Sequence, residues 1–397
     1  MSSPQQPLSQ RIATRARIPA FEVMRITEHI QLREAAGHDV VSLCAGEPPS
    51  RTPPARLTAA GYTGPLGTFA LRSEIAGHYD RWYGVTIDPH RIAVTTGSSG
   101  AFQLAFLAAF EAGDNVALAI PGYPAYRNIL RSLGVNVIEL AVDIRTRYQP
   151  TPEHLDAIVA QHGQLHGLIV ASPANPTGTM LAEAEMRALV AWCDQHGTRL
   201  ISDEIYHGIT FEGSGRSPFR GVTAAAFTDQ AIIINSFSKY WGMTGWRLGW
   251  AVLPEHLVSP VEALSSNFAL SPPTPSQEFA MSAFTEETYA ERDAAVDGFA
   301  RARSVILEAA HELEWGEAAP ADGAFYYYSE LGEQQLKRFG NSTAYAQALL
   351  NEANVALVPG TDFDPTAGER SVRLSYAVGE AKVTEAIERI IRFQRAK

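Results

Sequence analysis

Ala231-Ile232-Ile233-Ile234-Asn235 runs without a break into Ser236-Phe237-Ser238-Lys239, and then into Gly242-Met243-Thr244-Gly245-Trp246-Arg247. The first five residues read as a buried strand, because β-branched side chains favour a pleated backbone. The serines and glycines that follow permit a tight loop and close backbone approach. Similar short runs recur at Arg91–Thr95, Asn115–Ile120, Val135–Leu140, Gly167–Ala171 and Thr198–Ser202, with amphipathic stretches such as Ala182–Gln195 between them. Strand and helix in alternation predict an α/β protein with a mostly parallel, mixed sheet and helices on both faces, three layers in all. Binding residues then gather in the loops after the strands' carboxyl ends.

The pattern changes near residue 286. Glu286–Leu313 reads as one long helix, followed by strands at Ala324–Ser329, Val355–Val358 and Ser371–Ser375 and helices at Ser342–Asn354 and Gly379–Arg395. A helix over about Phe21–Ala36 is expected to pack with this smaller α+β unit. Residues 1–45 are therefore assigned to an N-terminal arm and helix of a small domain, 46–285 to a large domain, and 286–397 to the rest of the small one.

The chain has 397 residues, 46% hydrophobic and 19% charged, with a net charge of −11. That balance fits a globular enzyme and argues against a general nucleic-acid binder, which needs a basic face. The two cysteines, Cys44 and Cys193, form no metal-binding pair and read as buried thiols in a reducing cytoplasm. The apolar runs are too short to span a membrane. Arg11, Arg15 and Arg17, with no acid before Glu22, faintly suggest a transit peptide, but the segment reads better as an arm that docks on the body.

Four strings carry chemistry. Lys239 and Arg247 share the loop after Ala231–Asn235. Asp203 ends the strand at Thr198–Ser202, with Tyr206 three residues on. Asn175-Pro176-Thr177-Gly178 follows the strand Gly167–Ala171. Thr96-Gly97-Ser98-Ser99-Gly100 opens a helix, where free N–H groups and the helix dipole favour an anion. Taken singly, each has a plainer reading: a surface lysine, an aspartate capping a helix, a simple turn, an N-cap serine. Taken together, a lysine, a carboxylate able to pair with a pyridinium nitrogen, and a phosphate cradle meet in one crevice.

The strings resemble the class I/II aminotransferases, the aspartate-aminotransferase-like enzymes of fold type I that use pyridoxal 5′-phosphate (PLP). The resemblance rests on Gly46-Glu47-Pro48, Tyr62-Thr63, Pro121-Gly122-Tyr123-Pro124, Asn175-Pro176-Thr177-Gly178, Ser202-Asp203-Glu204-Ile205-Tyr206, Ser236-Phe237-Ser238-Lys239, Gly245-Trp246-Arg247, Gly323-Ala324-Phe325-Tyr326 and Val372-Arg373-Leu374-Ser375, in the family's order from about residue 20 to the end. It implies that Lys239 holds PLP as a Schiff base and moves the proton between the substrate Cα and the cofactor C4′. Asp203 would pair with the pyridine nitrogen. Tyr206 and Asn175 would bond the ring's 3-oxygen, and Tyr123 would stack on the ring. Ser98, Ser99, Gly100, Ser236, Ser238 and Arg247 would hold the phosphate, with Tyr62 reaching the phosphate of a partner subunit in a homodimer. Arg373, with Asn175 and the Gly46 backbone, would grip the substrate carboxylate. No metal is expected.

The chain departs from the family in places. Pro49-Ser50 stands where relatives often have Asp-Phe, which leaves Arg51 as a cation near the substrate entrance, contacting an acidic side chain or merely exposed. Asp364 stands where a glycine is usual. Tyr326-Tyr327-Tyr328 reads as core packing, and His207 as a supporting residue. Phe21, the Tyr62–Thr68 loop of the partner, Tyr123 and Arg51 are expected to shape the side-chain pocket. The reaction expected is transfer of an amino group between an amino acid and a 2-oxo acid. A PLP lyase or cyclase would use the same lysine, aspartate and arginine. A PLP-binding regulatory domain is disfavoured by the acidic charge and the lack of a basic helix-turn-helix region.

Overall fold

The Ile232-Ile233-Ile234 run is strand because its side chains find apolar partners on both sides. Ile232 and Ile234 enter the cluster formed by the helices on one face, and Ile233 enters the cluster on the other. Leu168, Ile169 and Val170 alternate in the same way, as a two-residue period requires. The structure is a computed structural model that describes residues 22–44, 46–49, 61–211 and 220–396.

In chain order, α1 (Glu22–Ala35) and β1 (Val41–Ser42) precede α2 (Phe69–Tyr83). Then β2 (Ile92–Thr95), α3 (Gly97–Ala109), β3 (Asn115–Ile120), α4 (Pro124–Ser132), β4 (Asn136–Ala141), α5 (Pro152–His162), β5 (Gly167–Ala171), α6 (Glu183–His196), β6 (Arg199–Asp203), β7 (Ile232–Ser236) and β8 (Gly249–Val252) build the large sheet and its cover. Its order is β2-β8-β7-β6-β5-β3-β4, and β8 alone runs antiparallel to its neighbours. Helices α3, α4 and α7 (Glu255–Ala269) supply one apolar face, through Phe102, Phe106, Leu130, Leu257 and Val261. On the other face lie α2, through Leu71, Ile75 and Tyr79, and α6, through Met186, Leu189 and Val190.

After α8 (Thr274–Ala280), the long α9 (Glu286–Ala309) packs on α12 (Glu380–Arg395). Between them a four-stranded sheet has the order β12-β13-β10-β9, from β9 (Trp315–Ala318), β10 (Tyr326–Leu331), β12 (Val358–Pro359) and β13 (Ser371–Ser375). Helices α10 (Glu333–Phe339) and α11 (Ser342–Ala353) cover it, and β11 (Val355–Ala356) pairs in parallel with β1. The amino-terminal β1 thus pairs with β11, and α1 packs near β12.

The strands at Asn115–Ile120, Gly167–Ala171 and Ser371–Ser375 coincide with the expected ranges, and the other large-sheet strands shift by one residue. Three expectations change. The strand expected at Ala324–Ser329 lies two residues on, at Tyr326–Leu331, Val355–Val358 is two short strands in two different sheets, and the helix expected to reach Leu313 ends at Ala309. The antiparallel β8 carries too few residues to stand out from the loop before it.

Cys44 and Cys193 are buried and unpaired. Among the described residues, no helix is long and apolar enough to cross a membrane. The arm before Glu22, Phe21 and Arg51 lie outside the described residues.

Candidate active site

Five strands of the large sheet end at one crevice. The loop after β3 brings Tyr123, that after β5 brings Asn175, and that after β7 brings Ser238 and Lys239. Asp203 ends β6, and Ser98 and Ser99 lie in the first turn of α3, after β2. From the other sheet come Tyr326 at the start of β10 and Arg373 on β13. These residues line a cavity of about 290 Å³, together with Gly46, Tyr206 and Arg247.

Phe237 explains why the β7 loop is held so firmly. Its ring is fully buried, 5.3 Å from Trp241, 5.0 Å from Trp250 and 5.7 Å from Phe284 by centroids. The flanking serines bond one another, Ser236 Oγ donating to Ser238 Oγ at 2.9 Å. The Lys239 ammonium donates to the Gly46 carbonyl at 2.8 Å and lies 5.8 Å from the Tyr206 ring centroid. Lys239 is partly accessible, as a cavity-lining group is. Loss of hydration lowers its pKa to about 8, and the Arg373 and Arg247 charges add to that; Glu47 and Asp203 oppose it. It therefore gives up its proton at a lower pH than a surface lysine does.

Asp203 is 2% exposed. One carboxylate oxygen accepts the Ile205 N–H at 3.1 Å, and the other accepts the Tyr126 hydroxyl. Burial pushes its pKa up to about 6, while those bonds and Lys239 pull the other way. A cationic ring nitrogen would add one more opposite charge. Tyr126 is a residue that sequence reasoning missed: the Pro121-Gly122-Tyr123-Pro124 string drew attention to Tyr123, yet Tyr126, two residues past that string, is the one bonded to the carboxylate.

Arg373 is 4% exposed. Nη1 donates to Asn175 Oδ1 at 2.9 Å and Nη2 to the Cys44 carbonyl at 2.6 Å. Of a guanidinium's five N–H donors, two are committed, and Nε has no partner. A buried cation with spare donors suits a carboxylate ligand.

Two glycines leave room on opposite walls of the cavity. A Cβ on Gly97 would lie 2.6 Å from Arg247 Nη2, so glycine lets the guanidinium settle against the amino end of α3. Gly97 also has φ +68°, where a side chain would be strained. Arg247 itself has φ 51°, and its Nη1 donates to the Thr244 carbonyl at 3.0 Å. At the opposite wall, a Cβ on Gly46 would meet Tyr326 Oη at 1.9 Å.

Of the residues singled out in the sequence, Lys239, Asp203, Tyr206, Asn175, Tyr123, Ser98, Ser99, Ser238, Arg247, Gly46 and Arg373 meet at this cavity. Ser236 stands behind Ser238, Gly100 faces a neighbouring groove, and Tyr62 lies away from the cavity with 83% exposure. The expectation that the three tyrosines of β10 serve packing is incomplete for Tyr326, which is buried in the core cluster but also lines the cavity, its hydroxyl 2.7 Å from that of Tyr206. It holds for Tyr327 and Tyr328, whose rings meet Trp315 and Phe363. Asp364 has a local role: its Oδ1 accepts the N–H groups of Thr366 and Ala367, which closes the turn without a glycine. His207 is buried against Tyr83, with Nδ1 2.7 Å from the phenol oxygen.

Comparison with known proteins shows the family. The family profile "Aminotransferase class I and II" matches residues 38–390. A valine–pyruvate aminotransferase from Mycobacterium tuberculosis is 42% identical, over 96% of this chain and 98% of its own length. An aspartate aminotransferase from Geobacillus stearothermophilus is 30% identical, over 98% of this chain and 99% of its own. The crystal structure of an aminotransferase from Mycobacterium tuberculosis superposes with a TM-score of 0.92 at 41% identity, covering 98% of this chain and all of that one. The chain belongs to the class I and II aminotransferases. It is an enzyme that transfers nitrogenous groups, and the lyase reading is not favoured.

Proposed function

We propose that the chain is a PLP-dependent aminotransferase whose amino donor is a monocarboxylic amino acid with a small apolar side chain. The observation that carries the cofactor reading is Lys239 in one cavity with Asp203 and Arg373, its amine pKa lowered by its surroundings. The residues fit PLP: the amino end of α3 with Ser98, Ser99, Ser238 and Arg247 would seat the phosphate, Ser236 supporting Ser238 from behind and Gly100 adding only its place in the same helix turn, and Asp203 would offer an anion for the ring nitrogen. Tyr123 would cover the ring, while Tyr206 and Asn175 would bond its 3-oxygen. Bound PLP supplies an electron sink that makes the substrate Cα–H acidic.

The protein's own part is to bind, orient and move a proton. Arg373 would hold the amino-acid carboxylate, with Asn175 and the Gly46 backbone beside it. That fixes which bond at Cα stands across the cofactor plane. Lys239 Nζ, which loses its proton at about pH 8, would as the free amine take the Cα proton and return it at the other reacting carbon. The substrate class follows from the wall. The cavity's cations among the described residues are Lys239, Arg247 and Arg373, and each has a use; Val23, Ala125 and Ile129 are apolar. The valine–pyruvate aminotransferase among the relatives agrees with that choice.

The rest of the proposal is a cytoplasmic homodimer, with Tyr62 completing the partner's phosphate seat. Its support is the exposure of Tyr62, Phe268 and Leu270, and the two reduced, buried thiols. The domain division at residues 45/46 and 285/286 belongs to it too, supported by the β1–β11 pairing. The test is reductive trapping: incubate the apoprotein with PLP, reduce with borohydride, and map the labelled peptide. Label on Lys239 supports the reading; label elsewhere or none contradicts it.

A further inference from the structure

Tyr326 touches both halves of the site. It opens β10 opposite Ser375, while Arg373 on β13 pairs with Tyr328 two residues along. Its hydroxyl lies 2.7 Å from the Tyr206 hydroxyl, and Arg373 Cζ lies 4.4 Å from its ring centroid. The side chain is 2% exposed and lines the cavity. Gly46 leaves the space that the hydroxyl fills, since a Cβ there would collide with it.

Two phenols share two protons. If Tyr206 donates to Tyr326, its proton is spent inside the wall. If Tyr326 donates to Tyr206, the Tyr206 proton is available to a ligand oxygen in the cavity, and accepting a bond makes Tyr206 a stronger donor. We propose that Tyr326 is a positioning residue for transamination: its hydroxyl donates to Tyr206 and so directs the Tyr206 proton at the cofactor's 3-oxygen, and its ring seats the Arg373 guanidinium. This rests on the PLP reading above.

Charges from both sheets face the pair. Burial raises the pKa of both phenols, so both stay protonated and able to donate at neutral pH. Arg373 pulls each phenol down, and Asp203 pushes Tyr206 up. The Lys239 ammonium stands 5.8 Å from the Tyr206 ring. The guanidinium over the Tyr326 ring adds a cation–π contact that does not depend on the hydroxyl.

Two variants separate the hydroxyl from the ring. Tyr326→Phe removes only the hydroxyl, and Tyr326→Leu removes both. In the PLP-loaded protein, the pH midpoint of the cofactor's visible absorption band is read alongside KM for the amino donor. A hydrogen bond to the 3-oxygen favours the less protonated chromophore, so weakening it raises the midpoint. Tyr326→Phe is expected to raise it by roughly half a unit to one unit, with KM within about twofold of the parent. Tyr326→Leu is expected to show the same spectral shift and a KM raised by roughly 3- to 30-fold, as the cation–π support is lost. An unchanged midpoint in Tyr326→Phe, or a KM rise as large in Phe as in Leu, overturns the proposal. If the parent protein acquires no PLP band at all, the cofactor reading fails and the proposal falls with it. A parent that titrates normally beside an unshifted Phe variant refutes Tyr326 alone.

Discussion

Asn175 Oδ1 accepts from Arg373 Nη1 at 2.9 Å, across 198 residues of sequence. The contact ties the loop after β5 in the large sheet to strand β13 in the four-stranded one. It also holds the guanidinium of a residue that lines the cavity. The cavity therefore lies where the two sheets meet: the large one brings Lys239 and Asp203, the other Arg373, to which the proposed function gives the substrate carboxylate.

Arg373→Ala removes the anchor. The expected result is a KM for the amino donor raised by roughly 30- to 1,000-fold, the loss of a charge-assisted pair. PLP binding, measured by absorbance, should change little. Unchanged KM would place the carboxylate elsewhere.

Lys239→Ala should lower turnover by at least about 10³-fold, through loss of the proton carrier. PLP should still bind through the phosphate seat. In the apoprotein, the rate of covalent PLP attachment should rise with pH through about 8, as the amine loses its proton. A rate that stays flat from roughly one pH unit below that midpoint to roughly one unit above it would contradict the lowered pKa.

Glu204 is fully buried beside Asp203, its Oε1 accepting from Ser202 Oγ and the Ala224 N–H, both at 2.9 Å. Its Oε2 has no hydrogen-bond partner and lies 3.5 Å from His207 Nδ1. Burial raises its pKa from 4.5 to about 8. A raised folded pKa means the folded chain holds the proton more tightly. Its stabilising effect is complete below pH 4.5 and is lost as pH rises through about 8. The thermal midpoint should accordingly fall from mildly acidic to mildly alkaline pH. In Glu204→Gln that fall should be smaller. Equal slopes in the two proteins would show that Glu204 does not carry it.

Phe237→Ala should destabilise the fold by about 3–5 kcal/mol, because the ring is enclosed by Trp241, Trp250 and Phe284. Denaturant unfolding measures this. A loss under about 1 kcal/mol, the range of an ordinary surface change, would mean that the loop holding Lys239 is fixed by something else.

Much of this was legible in the sequence, for identifiable reasons. Strands such as β5 and β7 are buried on both faces, so their apolar runs are unbroken and stand out. Asp203, Asn175 and Lys239 follow such strands directly, so chain order places them at one edge. Tyr126 and Tyr326 were not legible as site residues. Their function lies in a bond to a residue distant in sequence, Asp203 or Tyr206, and an aromatic in an apolar context looks the same whether its hydroxyl is used or idle. The same holds for β8, whose direction follows from pairing with β2 and β7 and not from its four residues. Asp364 departs from the family pattern without a backbone cost, because its side chain caps the turn it opens.

The most direct test of the central claim is an absorption spectrum of the PLP-loaded protein before and after a single amino acid is added without any oxo acid. The account predicts that a small apolar amino acid converts the visible band to the pyridoxamine form, with one equivalent of the matching 2-oxo acid released. A band that returns unchanged while ammonia or another elimination product accumulates would contradict it.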